Sequence, residues 1–377
     1  MRKILKASLC LALVLALFTG CTVVNVAKVG EVNGESISLS SYKYMLKFAQ
    51  LYFGAADYDD NLTMICMYDS YMRQFMYSDI TALLSEAGSE EDGKSLWEKE
   101  LDGETVGDKL KNLVFDKAAE LLLISQMAAE KEISLTEDEK SKVKDLKNSF
   151  IGTLGSKTPF DKALDSINMT ENELTGMWEN ILLPDTLKDS LTLDDELTDD
   201  KLKAYYNDNY MRVKHILIKV GDDDIKDLNA AKAKADEVIK ALDTGASFES
   251  LMAAYSGDVD SDGNVNGGET GYVFAEGDFG NPAFENASKE LAVGEYTKEP
   301  VKVEASYSGY HIIKRLPLEE SYFDTDTDGI KDAVKEKIKD AFYAKAMEEY
   351  KSSADVTKKE SKIKGLKLEK KTSDTEE

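Results

Sequence analysis

Two histidines occur in the 377 residues, His215 and His311. Both lie in apolar runs, His215-Ile216-Leu217-Ile218-Lys219 and Tyr310-His311-Ile312-Ile313-Lys314, which predict strands of one sheet. A single buried histidine is commonly a core residue whose hydrogen bonds are met, whereas a pair brought together by one sheet is a candidate site. Between them an acidic loop offers a competing chemistry. Asp258, Asp260, Asp262, Gly263, Asn264 and Glu269 follow the Asp-x-Asp-x-Asp-Gly spacing of a calcium loop, with glutamate at the twelfth position. Gly271 and further loop stand where the exit helix of such a site is required, which weighs against calcium. A second acidic run, Asp324, Asp326, Asp328 and Gly329, has Lys335 where glutamate is needed and reads as a solvated linker ending in a helix cap. Ser40-x-x-Lys43 matches the penicillin-binding tetrad in letters only, because its partner motifs are missing.

Of three cysteines, Cys10 and Cys21 lie near the start and Cys66 stands alone beyond them. The chain begins Met1-Arg2-Lys3, continues through an apolar stretch at 9–18, and reaches Phe18-Thr19-Gly20-Cys21. This resembles a bacterial lipoprotein signal, with residues 1–20 removed and Cys21 acylated; a plain secretory signal is the competing reading. The protein is then expected on the extracytoplasmic face of the cell membrane, held by acyl chains. With Cys66 the sole remaining thiol, no intramolecular disulfide is expected. The formal charge is −25, and −28 without Arg2, Lys3 and Lys6. That acidity argues against nucleic acid, whose phosphates demand cationic partners.

The elements that must position the histidines come next. Val29 to Ile37 reads as a hairpin around Asn33-Gly34. Ser38 or Ser40 then caps a helix, and one further helix is expected from Met64 to Leu84, with a methionine and aromatic stripe that is either core or a client-binding cleft. Residues 87–107 read as an acidic loop. Helical periodicity resumes at Leu110, and Thr136/Glu139 and Thr170/Glu173 form capping boxes for two more helices. From Val213 the pattern changes to strand, helix from Ala230 to Leu242, a helix capped by Ser247, glycine-rich loops, a short helix near Phe284 and two strands. The fold class is therefore α+β: a mainly helical portion over 21–209, an antiparallel sheet with helices over 210–318, a helix within 319–355, and a charged tail, 356–377, expected to be disordered.

The segment 210–318 resembles the parvulin family of peptidyl-prolyl isomerases. The resemblance rests on the two histidine runs, Phe248 with Tyr255-Ser256-Gly257-Asp258, Gly267-Gly268-Glu269-Thr270-Gly271, Pro282-Ala283-Phe284-Glu285, Gly294-Glu295 and Pro300-Val301, in that order. It implies that His215, Asp258 and His311 surround the isomerising bond with Ser306 or Ser308, and that Thr270, Phe274, Phe279 and Phe284 line the proline pocket. The barrier to be lowered is ~18–20 kcal/mol through a twisted amide. No bond breaks, so no cofactor and no metal are expected. Thr270 departs from the family's usual leucine, and Tyr272-Val273 carries one extra residue before Phe274. More faintly, Val32-Asn33-Gly34-Glu35, the Leu121 to Leu135 region and the Ile330 to Tyr350 helix are similar to the helical chaperone domain of PrsA- and SurA-type extracytoplasmic foldases. The isomerase is then an insertion or an appended module. The implied partners are unfolded or newly translocated secreted proteins with Xaa-Pro bonds; a homodimer through the helical portion is left open. The alternative function is a holdase whose parvulin fold binds without catalysis.

Overall fold

The structure, a computed structural model, describes residues 27–54, 60–88, 95–221, 225–268, 270–304, 307–326 and 329–369. Cys21 and the signal, Glu269 and Ser306 lie outside them. The chain divides into two compact units, residues up to 192 with those from 339 onward, and residues 193–338.

The first unit is mainly helical. Strands β1 (Lys28–Val32) and β2 (Glu35–Ser38) form an antiparallel hairpin. Its Asn33-Gly34 turn takes positive φ at both positions, 52° and 84°, as a tight hairpin turn demands. Ser38 caps the helix Leu39–Leu51 by accepting the Ser41 N–H. The single helix expected from Met64 is instead two, Asn61–Tyr68 and Ser70–Ala87, broken at Asp69. Asp69 caps the second helix through the Met72 N–H, and its other oxygen accepts Tyr44 Oη–H at 2.6 Å and Trp178 Nε1–H at 2.8 Å. Periodicity missed this break because the apolar stripe runs straight across it. The expected loop at 87–107 contains a two-stranded ribbon, β3 (Glu100–Leu101) with β4 (Glu104–Thr105), and the helix Val106–Glu130 starts earlier than the apolar repeat suggested. Both capping boxes form, opening the helices Glu137–Thr153 and Glu171–Asp189. Met45, Met72 and Met76 have no exposed surface, so those methionines are core and line no cleft.

The second unit is a four-stranded antiparallel sheet flanked by helices. Strand β5 (Tyr210–Lys219) lies between β6 (Tyr272–Ala275) and β8 (Ser308–Leu316), and β7 (Val301–Glu304) closes the far edge, giving the order β6-β5-β8-β7. Alternation along β5 divides its side chains. Ile216 and Ile218 join Ala231, Ala235 and Val238 of the helix Leu228–Asp243. Met211 and Val213 join Phe274 and Phe284 on the opposite face. Strand β6 replaces what the sequence offered only as glycine-rich loop. Its four residues sit at the edge, too few for alternation to announce them.

Three domain expectations need correction. The parvulin-like unit extends past 210–318 at both ends, because Leu202, Tyr206 and Tyr210 share one cluster with Phe323, Ile330, Val334 and Ile338. The helix Ile330–Ser353, which the foldase resemblance implies packs on the helical portion, contributes to the parvulin-like unit through Ile338; beyond it Tyr343, Met347 and Tyr350 pack against Ile124, Met127 and Leu187. The tail is not disordered over 356–369. Strand β9 (Val356–Lys358) pairs with β1, the helix Glu360–Lys364 buries Ile363, and Leu366 and Leu368 pack on the helical core. Glu369 then accepts Lys47 Nζ at 2.7 and 2.9 Å, donates its N–H to Gln50, and gives its carbonyl to Trp97 Nε1. Lysine-rich composition concealed this because main-chain pairing and a few apolar anchors, not net charge, order the segment.

Candidate active site

The register of the central strands sets the site. His215 pairs with Ile313 and Leu217 with His311, which makes the two histidines diagonal neighbours on one face. Their ring centroids lie 4.8 Å apart. Both are enclosed, at 4% and 0% exposure. Phe284, from the first turn of the helix Pro282–Glu290, meets both imidazoles edge to face, with centroids 5.2 Å from His215 and 5.1 Å from His311. Asn281 caps that helix by accepting the Phe284 N–H, and Pro282 follows at its first position, a start that fixes where the ring emerges.

Asp258 reaches the same place from the loop after the helix Phe248–Tyr255. Its Oδ2 lies 2.7 Å from His215 Nε2 and accepts Tyr272 Oη–H at 2.6 Å, while Oδ1 accepts Asn266 Nδ2–H at 2.8 Å. The His215 hydrogen bond, joined by those from Tyr272 and Asn266, holds the carboxyl well below the usual range against the opposing pull of burial. Burial, aided by repulsion from His215, pushes His311 down to about 3, so its imidazole is neutral across physiological pH. Its Nε2 lies 3.2 Å from the Tyr307 hydroxyl. The Nδ1 atoms of both histidines are buried without a hydrogen-bond partner.

The structure thus brings His215, Asp258, His311, Phe274, Phe279 and Phe284 into one cluster. Phe274 lies 6.1 Å from Phe284 and 5.1 Å from Phe279, centroid to centroid. Thr270 is not part of it: the residue is exposed, and its carbonyl accepts Arg212 Nε–H at 2.6 Å. Ser308 is half-buried at the start of β8, paired with Glu304, and the hydroxyl beside His311 comes from Tyr307. Three residues that sequence reasoning missed therefore belong here: Asn266, Tyr272 and Tyr307. The apparent extra residue before Phe274 has a simple explanation. Tyr272 and Phe274 alternate onto the site face of β6, while Val273 and Ala275 turn to the cluster of Tyr206 and Tyr210. The Tyr-Val-Phe-Ala run was the signal that could have shown this.

The calcium geometry does not form around the described members of its loop. Asp258 is directed into the site by its three donors, and Asp260 turns inward to accept the N–H groups of Asp262 at 2.9 Å and Asn264 at 2.8 Å. These are the bonds of a self-capped turn. Val259 and Val265 bridge across its base. Cys66 is a buried free thiol. Among the described residues no helix is long and apolar enough to cross a membrane.

Residues 200–316 match the PPIC-type PPIASE domain family. The foldase protein PrsA of Caldanaerobacter subterraneus is 28% identical over 236 residues, an alignment covering 61% of this chain and 65% of that protein. The PrsA of Clostridium botulinum strain Langeland is 25% identical over 375 residues, covering 94% and 96%. Among solved structures, PrsA from Bacillus subtilis aligns at 23% identity and a TM-score of 0.24, over 75% of this chain and 97% of that one. Residues 200–316 are thus similar to the PPIC-type, or parvulin, peptidyl-prolyl isomerase domain, within a sequence similar along most of its length to PrsA foldases.

Proposed function

We propose that the chain is an extracytoplasmic foldase in which the unit 193–338 catalyses cis–trans isomerisation of Xaa-Pro bonds in newly translocated, unfolded proteins, while the helical unit holds those chains. The observation that carries this is the convergence of His215, Asp258, Phe284 and His311, scattered over almost a hundred residues, around one apolar face. Isomerisation asks only that the twisted imide be bound better than either planar form. A dry aromatic surface takes the prolyl ring and disfavours the larger dipole of the planar amide. Asp258, ionised and already met by three donors, attacks nothing; it fixes the ring of His215. The unpartnered imidazole nitrogens are the polar atoms left for the rotating bond. The relatives named foldase support the chaperone half of this reading, and Cys21 in its Phe-Thr-Gly-Cys setting supports a lipid anchor.

A protease-coupled prolyl assay tests the enzyme. The full chain should accelerate isomerisation, and Asp258→Asn should lower kcat/KM about tenfold, ~1.4 kcal/mol of transition-state stabilisation. No acceleration, with aggregation of an unfolded client still suppressed, makes the protein a holdase. Substituting Cys21→Ala should release the protein from membranes and abolish acyl labelling.

A further inference from the structure

Phe284 should be the floor of the proline notch, yet none of its surface is exposed. What covers it is Phe279. The two rings are stacked, 4.1 Å between centroids and 8° between planes, which is van der Waals contact with no room for a pyrrolidine between them. Phe279 itself is only half-buried. It also stands edge-on to Tyr272, 5.6 Å away. A phenyl ring of the protein thus occupies the position that the isomerase reading gives to a client's prolyl ring.

The backbone beneath that ring is fastened. Glu285, 6% exposed, accepts three N–H groups from the turn between β6 and the helix Pro282–Glu290: Gly277 at 2.6 Å, Phe279 at 2.9 Å and Gly280 at 3.1 Å. Asp278 closes the same turn by accepting the Ala275 N–H at 3.0 Å. Gly277 and Gly280 flank Phe279 with φ of 89° and 71°, conformations that glycine supplies without strain. A main chain tied at Ala275, Gly277, Asp278, Phe279 and Gly280 does not swing as a lid. The phenyl side chain has no such ties, and two torsions move it towards solvent.

Building on the isomerase reading, we propose that Phe279 is the gate of the proline notch: its ring closes on Phe284 and rotates out for the prolyl ring, on a backbone positioned by Glu285. Opening sets a conformational cost, so apparent affinity is the intrinsic affinity reduced by the open fraction.

The test uses the full chain and a short Xaa-Pro peptide. Phe279→Ala should lower KM about threefold or more, and Phe279→Trp should raise KM. A raised KM in Phe279→Ala overturns the proposal, because the ring would then grip proline as a wall. Glu285→Gln should change KM in the native background and add nothing in Phe279→Ala, since it acts through that ring; additive effects overturn the positioning role. With labelled phenylalanine, NMR should show the mutual ring-current shifts of Phe279 and Phe284 collapsing when saturating peptide is added. Persistence of those shifts during observed catalysis removes the gate and leaves the isomerase standing. Collapse without any acceleration leaves the gate and removes the isomerase.

Discussion

Each unit buries part or all of an aspartate and meets its carboxylate with three side-chain or main-chain donors, yet the two carboxyls move in opposite directions. Asp69 in the helical unit accepts Tyr44, Trp178 and the Met72 N–H, and burial still lifts it above the ordinary range. Asp258 in the parvulin-like unit accepts Tyr272 and Asn266 and faces His215, and is held far down. The opposite directions follow burial and partner: Asp69 is fully enclosed, so desolvation outweighs its donors, whereas Asp258 is only partly enclosed and its hydrogen bond to His215 outweighs burial. Around Asp69 the polar groups are closed upon one another. Among the described residues the buried side-chain atoms without a hydrogen bond are Nδ1 of His215 and Nδ1 of His311, at the site, and the Tyr210 hydroxyl, in the cluster of Tyr206 and Phe323. An unmet buried polar atom costs on the order of 1–3 kcal/mol. A fold tolerates that cost where a ligand relieves it, which the two imidazoles beside Asp258 and Phe284 allow, whereas the Tyr210 hydroxyl bears it within a packing cluster.

The largest effect expected from this contrast is at Asp69. Asp69→Ala should destabilise the helical unit by about 3–5 kcal/mol, since it strips a helix cap and leaves a tyrosine, an indole and a main-chain donor unmet. Urea unfolding followed by the fluorescence of neighbouring Trp178 measures it. A loss below about 1 kcal/mol would collapse the contrast. Acid sharpens it further. His311 is held at about 3 when folded but takes up a proton near pH ~6.5 when unfolded. The unfolded chain therefore binds more protons in that window, and stability falls as pH drops from about 6.5 towards 3, by up to about 1.4 kcal/mol per pH unit from this group. Asp258, also lowered, adds its loss only below its unfolded value of about 3.9. Asp69, raised, acts the other way: its share of stability is present at low pH and declines as pH rises through its folded value. Acid should thus weaken residues 193–338 before the helical unit, and His311→Phe should flatten the wild-type slope between pH 6.5 and 4.5.

What could be read from sequence follows the same division. The histidine runs, the spaced glycines and Pro282-Ala283-Phe284-Glu285 carry strong local constraints: strand alternation, turns that need glycine, and a proline at a helix start. From these, the two histidines on one sheet were legible, and the resemblance they carry to the parvulin family implied that Asp258 and Phe284 join them. Tyr272, Tyr307 and Asn266 were not, because each contributes one polar atom whose aim depends on register and loop closure. In the helical unit both capping boxes were legible from four letters each. The break at Asp69 was not, for an aspartate inside an apolar run looks like a surface residue until Tyr44 and Trp178 arrive from distant helices. The tail 356–369 was misread for a related reason: pairing with β1 is a property of the partner strand, and nothing in a lysine-rich segment announces it.

Two smaller effects test how far the site extends around Asp258. Tyr272→Phe removes one donor to Oδ2 and keeps the ring against His215, whose centroid is 5.2 Å away. It should lower kcat/KM about fivefold, ~1 kcal/mol, through kcat with KM steady. An unchanged kcat would confine Tyr272 to packing. The smallest effect is expected two residues from Asp258. Asp260 is exposed and spends its carboxylate on its own turn, so Asp260→Ala should leave kcat/KM unchanged and cost stability only about 0.5–1 kcal/mol. Thermal melting with added calcium and with a chelator completes the test. Equal midpoints are expected, because a carboxylate that already holds its loop together must break those bonds before it can ligate. A calcium-dependent midpoint that vanishes in Asp260→Ala would mean the loop rearranges around the ion, pulling Asp258 from His215 and turning this region from a prolyl site into a metal switch.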